Sequence, residues 1–323
     1  MTQAPTPTAD TVRRLVRSLL DDGADTPAGP NGGSATDRGG PQVRPVTEDG
    51  EHHTWWVGAH HVLRLAPDRE AAVRRRRELR LRELVRPHLP LAVPTSVAHG
   101  EWAPGLTFTL DTRLPGGTAE DHDVSAVGEA DLAGLLTGLR EVPARQAETL
   151  GLPRSAPRSL EALRLSAGRA AERLARADEF DPAGLQQLTS AAAVQLAAQP
   201  GGQVLVHRGL TGEHLVVAAD GRVRGVLDWS AAALGDPAED IAGLAVAVGS
   251  PAAVRAATLA GYGARPCLRG LWLARCDAVV RLAEQVGRGA GGPTPLLRTR
   301  LRRAWEAILL ERVTELRDDP DGS

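Results

Sequence analysis

The stretch from Val204 to Asp240, VLVHRGLTGEHLVVAADGRVRGVLDWSAAALGDPAED, constrains this chain more than any other. Val204, Leu205 and Val206 form an apolar run that reads as a short buried strand ending at His207. Two further apolar runs, His214–Ala218 and Val223–Leu227, flank Asp220-Gly221, the strongest short-range hairpin signal. The hairpin turns the chain back on itself, so the loop after His207 and the strand end Asp228-Trp229 are expected to lie side by side. Asp236-Pro237-Ala238-Glu239 then reads as a capping box, with Asp at the N-cap, Pro at the first helical position and Glu at the third. Ile241, Leu244, Ala245 and Val248 follow at helical spacing.

A polar loop meeting a strand-end carboxylate is how kinases hold a metal-bound nucleotide. With that geometry the stretch resembles the aminoglycoside and macrolide phosphotransferase family, small-molecule kinases whose pattern reads H-G-D-L, then N or H, a hairpin, D-W or D-F, and G-D-P-x-x-D. His207, Leu210, His214, Asp228, Trp229, Gly235, Asp236, Pro237 and Asp240 stand at matching positions. Arg208-Gly209 stands in place of the family's Gly-Asp, so the position of the catalytic aspartate is Gly209. Two motifs at the right separation around a hairpin are specific, whereas any one triplet is weak.

The resemblance implies an α+β, two-lobed, protein-kinase-like fold, with ATP (or GTP) and Mg²⁺ as cofactors and a small hydroxyl-bearing molecule as acceptor. Asp228 is the main candidate metal ligand, since Mg²⁺ takes hard oxygen donors. His214, where many relatives carry Asn, is the second; imidazole suits Mg²⁺ less well, but macrolide kinases also place His there. The bland alternatives are that Asp228 simply ends a strand and that His214 is a half-buried, satisfied histidine. His207, Arg208 and Gly209 make up the catalytic loop, with His207 expected to brace it by hydrogen bonds rather than move a proton. Asp236 and Asp240 are expected to support it from behind. Glu213 is the nearest alternative carboxylate, expected to point away.

Upstream, Thr54–Val57 and His61–Leu65 are β-rich runs around Gly58-Ala59-His60, a hairpin pattern. The family's phosphate-anchoring lysine corresponds to Arg64, in Val62-Leu63-Arg64. All 38 basic residues of the chain are arginines, and arginine clamps phosphate with a broader fork than an ammonium. Asp68–Pro87 reads as a helix, and the resemblance makes Glu78 the first candidate partner of Arg64 and Glu83 the second. Gly50, His52 and His53 fall where the family keeps its loop over the phosphates. His52, His53, His60 and His61 lack a completing cysteine or carboxylate, so a polar hairpin face is preferred to a metal site. Leu106–Leu110 is another strand candidate, and Arg113–Gly117 resembles the hinge between lobes. The acidic run Glu120–Asp123 suits a cationic substrate, or else is a helix start or a solvated loop.

The formal net charge is −2, and Arg74–Arg77 spans one helical turn, so nucleic acid is not an expected partner. No apolar run is long enough to cross a bilayer, and Met1–Leu20 lacks the pattern of a secretory signal. Cys267 and Cys276 lie in helical sequence and read as core residues, which fits a reducing cytoplasm. The expected division is 1–45, an amphipathic helix with Val12, Leu15, Val16, Leu19 and Leu20 on one face followed by a linker over Asp21–Pro41; 46–116, a β-rich lobe; and 117–323, a helical lobe. Its helices are expected at Ala130–Leu139, Leu160–Ala177, Pro182–Ala198, Pro251–Tyr262, Leu268–Val286 and Pro295–Leu316. Three functions stay open: a small-molecule kinase with an altered loop, a nucleotide-binding pseudokinase acting as sensor or scaffold, and a ligand-binding module without nucleotide.

Overall fold

The computed structural model describes residues 6–22, 42–46, 53–199, 201–288, 292 and 294–308. Gly50, His52, the linker over residues 23–41 and the last part of the C-terminal helix candidate lie outside them. The chain forms two compact units: residues 1–83 with 93–114, and residues 84–92 with 115–323.

The first unit begins with helix α1 (Ala9–Asp22) and strand β1 (Val43–Pro45), then β2 (Thr54–Val57) and β3 (His61–Leu65) at the bounds expected for the hairpin. Helix α2 (Arg69–Val85), β4 (Ser96–Ala103) and β5 (Leu106–Thr112) follow. The strands make one antiparallel five-stranded sheet in the order β1-β2-β3-β5-β4. Val12 and Val16, one helical turn apart on α1, are fully buried against Trp55, Val57, Leu63, Leu65, Phe108 and Leu110, with Leu15 and Leu19 partly buried beside them. The short apolar stripe of α1 thus covers one face of the sheet, and burying side chains of this size stabilises by about 1.5–3 kcal/mol each. Strand β4 escapes sequence reading because it is a sheet edge whose apolar residues are interrupted by His99, Gly100 and Glu101. Gly100 pairs with Phe108 in register, and a Cβ there would come within 2.9 Å of the phenyl ring. The glycine makes room for the aromatic ring.

The second unit contains β6 (Gly117–Thr118), α3 (Ala126–Glu141), α4 (Ala144–Thr149), α5 (Leu160–Arg176) and α6 (Ser190–Gln195). Then come β7 (Val204–Val206), β8 (Leu215–Val217), β9 (Val223–Val226), β10 (Ala233–Gly235), α7 (Ala238–Val248), α8 (Ser250–Leu259), α9 (Ala264–Arg288) and α10 (Thr294–Ala304). β8 and β9 form the hairpin around Asp220-Gly221, flanked by β6, and β7 pairs antiparallel with β10. Ser125 and Ser159 cap α3 and α5 by accepting from Gly128 N–H and Ala162 N–H. Cys267 and Cys276 are buried on α9 with free thiols. No helix of the described residues is long and apolar enough to cross a membrane.

Two expected helices are corrected. Pro182–Ala198 is a 3₁₀ turn over Pro182–Gln187 followed by α6, because the Thr189 hydroxyl accepts from Ala192 N–H and opens a new helix in mid-segment. Helix α10 stops at Ala304 instead of continuing, and its last carbonyl accepts from Ser250 Oγ at 2.8 Å and Arg275 Nε at 3.1 Å. Those tertiary donors take the acceptor that a further helical turn would need.

Candidate functional site

In the second unit, β7 delivers His207 into a loop that is tied down from α7. Asp240, in the first turn of α7, accepts from His207 N–H at 2.7 Å and Arg208 N–H at 2.8 Å, one donor per carboxylate oxygen. Burial lifts this carboxyl to about 7, against the two N–H donors that favour its ionised form. Arg208 adopts φ +62°, a left-handed conformation that costs a non-glycine residue about 1–2 kcal/mol. The Asp240 carboxylate spans both peptide N–H groups and offsets that strain.

His207 is fully buried. Its Nε2–H donates to Leu227 C=O at 3.0 Å and its ring meets Trp229 edge-on at 4.7 Å, so it fastens the loop to the end of β9. Burial lowers its pKa to about 4, with His214 acting in the same sense, so the ring is neutral at pH 7. This is the bracing role expected of it; the Nδ1 atom is buried without a hydrogen-bond partner.

His214 Nδ1–H donates to Gly209 C=O at 2.6 Å, which fixes the tautomer and leaves the Nε2 lone pair on the other side of the ring. That lone pair faces Asp228 Oδ2 at 3.7 Å. Two lone-pair groups at this separation repel unless a cation or a proton stands between them. Asp228 is itself left-handed, φ +57°, and its Oδ1 accepts from Ser230 N–H at 3.3 Å. His207, Arg208, Gly209, His214 and Asp228, spread over the hairpin in sequence, are therefore brought together. Among the described residues no group of three or more His, Cys, Asp or Glu side chains is placed to hold a metal ion.

The expected capping box does not form: α7 opens at Ala238 with Pro237 at the N-cap and no side-chain cap. Asp236 accepts from Ala238 N–H at 3.0 Å, its other oxygen takes Arg269 Nε at 2.6 Å, a buried ion pair, and Glu239 turns to Arg158. The competing guanidinium, which sequence spacing does not reveal, outbids the reciprocal cap. Glu213 accepts from Thr211 Oγ1 and pairs with Arg300 at 3.0 Å. Burial alone would raise its pKa, yet Arg300 and the hydroxyl hold it below the usual carboxylate range. In the acidic run, Glu120 is taken by Arg300 at 2.7 Å and Arg303 at 3.1 Å.

A cavity of about 220 Å³ adjoins Arg208, Gly209 and Thr211, with Arg158, Glu239, Asp277, Arg281 and Arg300 in its wall. Of these last five, Glu239 was read in the sequence only as a helix cap, and Arg158, Asp277, Arg281 and Arg300 were missed. The only signal was Asp277 and Arg281 one turn apart, in a region without a motif.

In the first unit, Arg64 Nη1 donates to Glu78 Oε1 at 2.9 Å. Glu78, the first of the two candidates, is thus a partner of Arg64, and it is buried on α2. Arg82 extends the cluster, contacting Asp111 at 3.2 Å and Glu78 at 3.9 Å. Arg75 also packs there with Nε and one terminal nitrogen buried and unpartnered, and burial lowers its pKa to about 10.

A small antiparallel sheet unit, a larger helical unit and a braced His loop facing a strand-end aspartate define the kinase-like class of small-molecule phosphotransferases. The profile described as the phosphotransferase enzyme family matches residues 42–271, well over half the chain, and the protein belongs to that family. Its structure is similar to the GDP complex of wild-type aminoglycoside 2'-phosphotransferase-IIIa, at 16% identity over 90% of this chain and 97% of that one, with a TM-score of 0.62. It is also similar to the apoenzyme of macrolide 2'-phosphotransferase MphH from Brachybacterium faecium, at 23% identity over 90% and 98% of the two chains, TM-score 0.56. A macrolide 2'-phosphotransferase type I matches at 20% identity over 93% and 99%, TM-score 0.55. At these identities the likeness is one of fold. No curated protein sequence matches the chain.

Proposed function

We propose that this protein binds ATP or GTP with Mg²⁺ together with a small hydroxyl compound, and that phosphoryl transfer is slow because position 209 carries no carboxylate. The observation that carries this is the pairing of His214 Nε2 with Asp228 Oδ2 at 3.7 Å beside Gly209. One carboxylate fits a cation that keeps most of its shell as water and phosphate oxygen, with the imidazole beside it as the poorer donor. When bound, such an ion would neutralise charge on the phosphates; the chain itself supplies Asp228 and His214 to hold it. Arg64, steadied by Glu78, is assigned to the phosphates. His207 and Asp240 keep the loop in shape, and neither has a proton-accepting role in this reading.

Phosphoryl transfer depends chiefly on positioning and charge neutralisation, and a positioned base contributes roughly 10²–10⁴-fold. A loop without its carboxylate therefore predicts weak turnover rather than none. Glu213, tied to Arg300, does not replace it. The pseudokinase alternative is favoured by Arg208, a strained cation in the loop that cannot accept a hydroxyl proton. A reducing, cytoplasmic setting is proposed with it.

Calorimetry of the purified protein with ATP, with and without Mg²⁺, is the first test. Binding should need Mg²⁺, and Asp228→Ala should abolish that dependence while the fold is kept. Metal-independent binding in the parent, or an unaltered metal effect in the variant, rejects Asp228 as a ligand. Binding without any turnover selects the pseudokinase.

A further inference from the structure

The geometry points to an anionic acceptor, a hydroxyl compound of monosaccharide size bearing a phosphate or carboxylate, for the cavity beside Gly209. The inference rests on the reading above for the phosphoryl donor and deepens it by naming the class of the other substrate.

The charge in the cavity wall decides the sign. Its two carboxylates, Glu239 and Asp277, are both spent on Arg158. Arg158 Nη1 donates to Asp277 Oδ1 at 2.9 Å and Oδ2 at 2.7 Å. Its Nε and Nη2 reach Glu239 Oε1 at 2.9 Å and Oε2 at 2.8 Å. All four carboxylate oxygens already accept, and the hydrogen bonds to both partners hold Arg158 firmly charged against the effect of burial. Arg300 is likewise spent, on Glu120 and Glu213. A polycationic aminoglycoside would have to break one of these pairs to find a counter-charge here.

Two cations are left over. Arg208 on the loop and Arg281 on α9 both line the cavity and are exposed, and among the described residues neither guanidinium has a hydrogen-bond or ion-pair partner. Arg281 lies one helical turn beyond Asp277, its natural i,i+4 partner, but Asp277 faces Arg158. Guanidinium groups with unused forks beside a cavity recognise carboxylate and phosphate oxygens in pairs. Arg208 is also held in a left-handed backbone conformation where glycine would be unstrained. Strain that is retained at a loop beside a cavity is accounted for if the side chain binds a ligand.

Size points the same way. About 220 Å³ falls below the roughly 300–1,000 Å³ of sites that enclose drug-sized molecules. A single sugar ring with a charged substituent is of the size this space holds.

The test is calorimetry on the full chain without nucleotide, so that failure of the nucleotide reading does not affect it. Glucose, glucose 6-phosphate, gluconate and kanamycin are the probes. At least one of the two anions should bind about tenfold or more tightly than glucose, weaken as salt is raised, and lose its advantage in Arg281→Glu. Whether the phosphate or the carboxylate probe prevails identifies the anion. Kanamycin should bind no better than glucose to the parent, and should gain on both anions in Arg208→Gly combined with Arg281→Glu. Both side chains are exposed, so the variants should keep the parent's circular dichroism. Three outcomes overturn the inference: neither anion binding better than glucose, kanamycin binding the parent more tightly than both anions, or anion affinity unchanged in Arg281→Glu.

Discussion

Gly209 shows how a single missing carboxylate can leave a site otherwise assembled. Its backbone carbonyl orients His214, so the residue still shapes the loop without supplying a side chain to the reaction. A Cβ built there meets His207 Nδ1 and His214 Nδ1 at 3.4 Å, an ordinary contact, and its φ lies outside the left-handed region. The backbone at 209 therefore has room for a Cβ. Arg208 is the reverse case, a branched-out cation at φ +62° where glycine would relieve strain. The double change Arg208→Gly with Gly209→Asp should raise phosphoryl transfer at saturating acceptor by up to about 10²–10⁴-fold, leave nucleotide affinity nearly unchanged, and weaken the binding of an anionic acceptor that Arg208 holds. Transfer from labelled ATP to macrolides, aminoglycosides and anionic sugars, for parent and variant, is the measurement. A parent as fast as the double variant would mean that 209 is not the position of the base.

Helix α7 acts as the element that carries the loop, through one residue. Asp240→Ala leaves the buried His207 N–H and the part-buried Arg208 N–H without an acceptor, and at about 1–3 kcal/mol for a buried orphan a loss of about 2 kcal/mol is expected. The loss should also depend on pH in a stated direction. Burial raises the folded Asp240 carboxyl to about 7, while the unfolded carboxyl titrates near ~4. Between those values the folded parent holds the extra proton, so this group's stabilising contribution is full near pH 4 and declines as pH rises toward 7. His207 works the other way: lowered to about 4, it favours the folded state increasingly as pH rises from 4 to 6.5, but it does so in parent and variant alike. The penalty of Asp240→Ala, read from urea unfolding at pH 5 and pH 7.5, should accordingly be larger at pH 5. A penalty that grows with pH would show that the two N–H donors outweigh burial and keep the carboxylate ionised.

At the scale of the whole molecule, each of the two units has its own assembly of charge. In the first, Arg64 and Glu78 sit in a buried cluster with Arg75, Arg82 and Asp111. Arg64→Ala removes a charge-assisted contact of about 1.5–3 kcal/mol from any phosphate bound there, and should weaken ATP tenfold or more. Adenosine, which has no phosphates to lose, should stay within about twofold. Calorimetric titration of both ligands separates the cases: equal losses would mean that Arg64 supports the fold of its unit and does not anchor phosphate.

The sequence by itself determined the elements whose signals are local. Asp220-Gly221 between two apolar runs set the β8–β9 hairpin, Gly58-Ala59-His60 set the β2–β3 hairpin, and the spacing across the first of these brought Asp228 to the His207 loop. The amphipathic stripe of α1 was legible for the same reason, since period and burial coincide. Only the tertiary structure decided which charges meet. Glu239 left its expected cap for Arg158, Glu120 went to Arg300 and Arg303, and Arg64 met Glu78. An ion pair is made by distance in space, and Arg158 ahead of α5, Glu239 on α7 and Asp277 on α9 carry no common spacing along the chain. Edge strand β4 and the end of α10 were decided in the same way, the one by a glycine under Phe108 and the other by donors arriving from α8 and α9. Backbone periodicity is written locally; the partners that satisfy a buried carbonyl or carboxylate are supplied by packing.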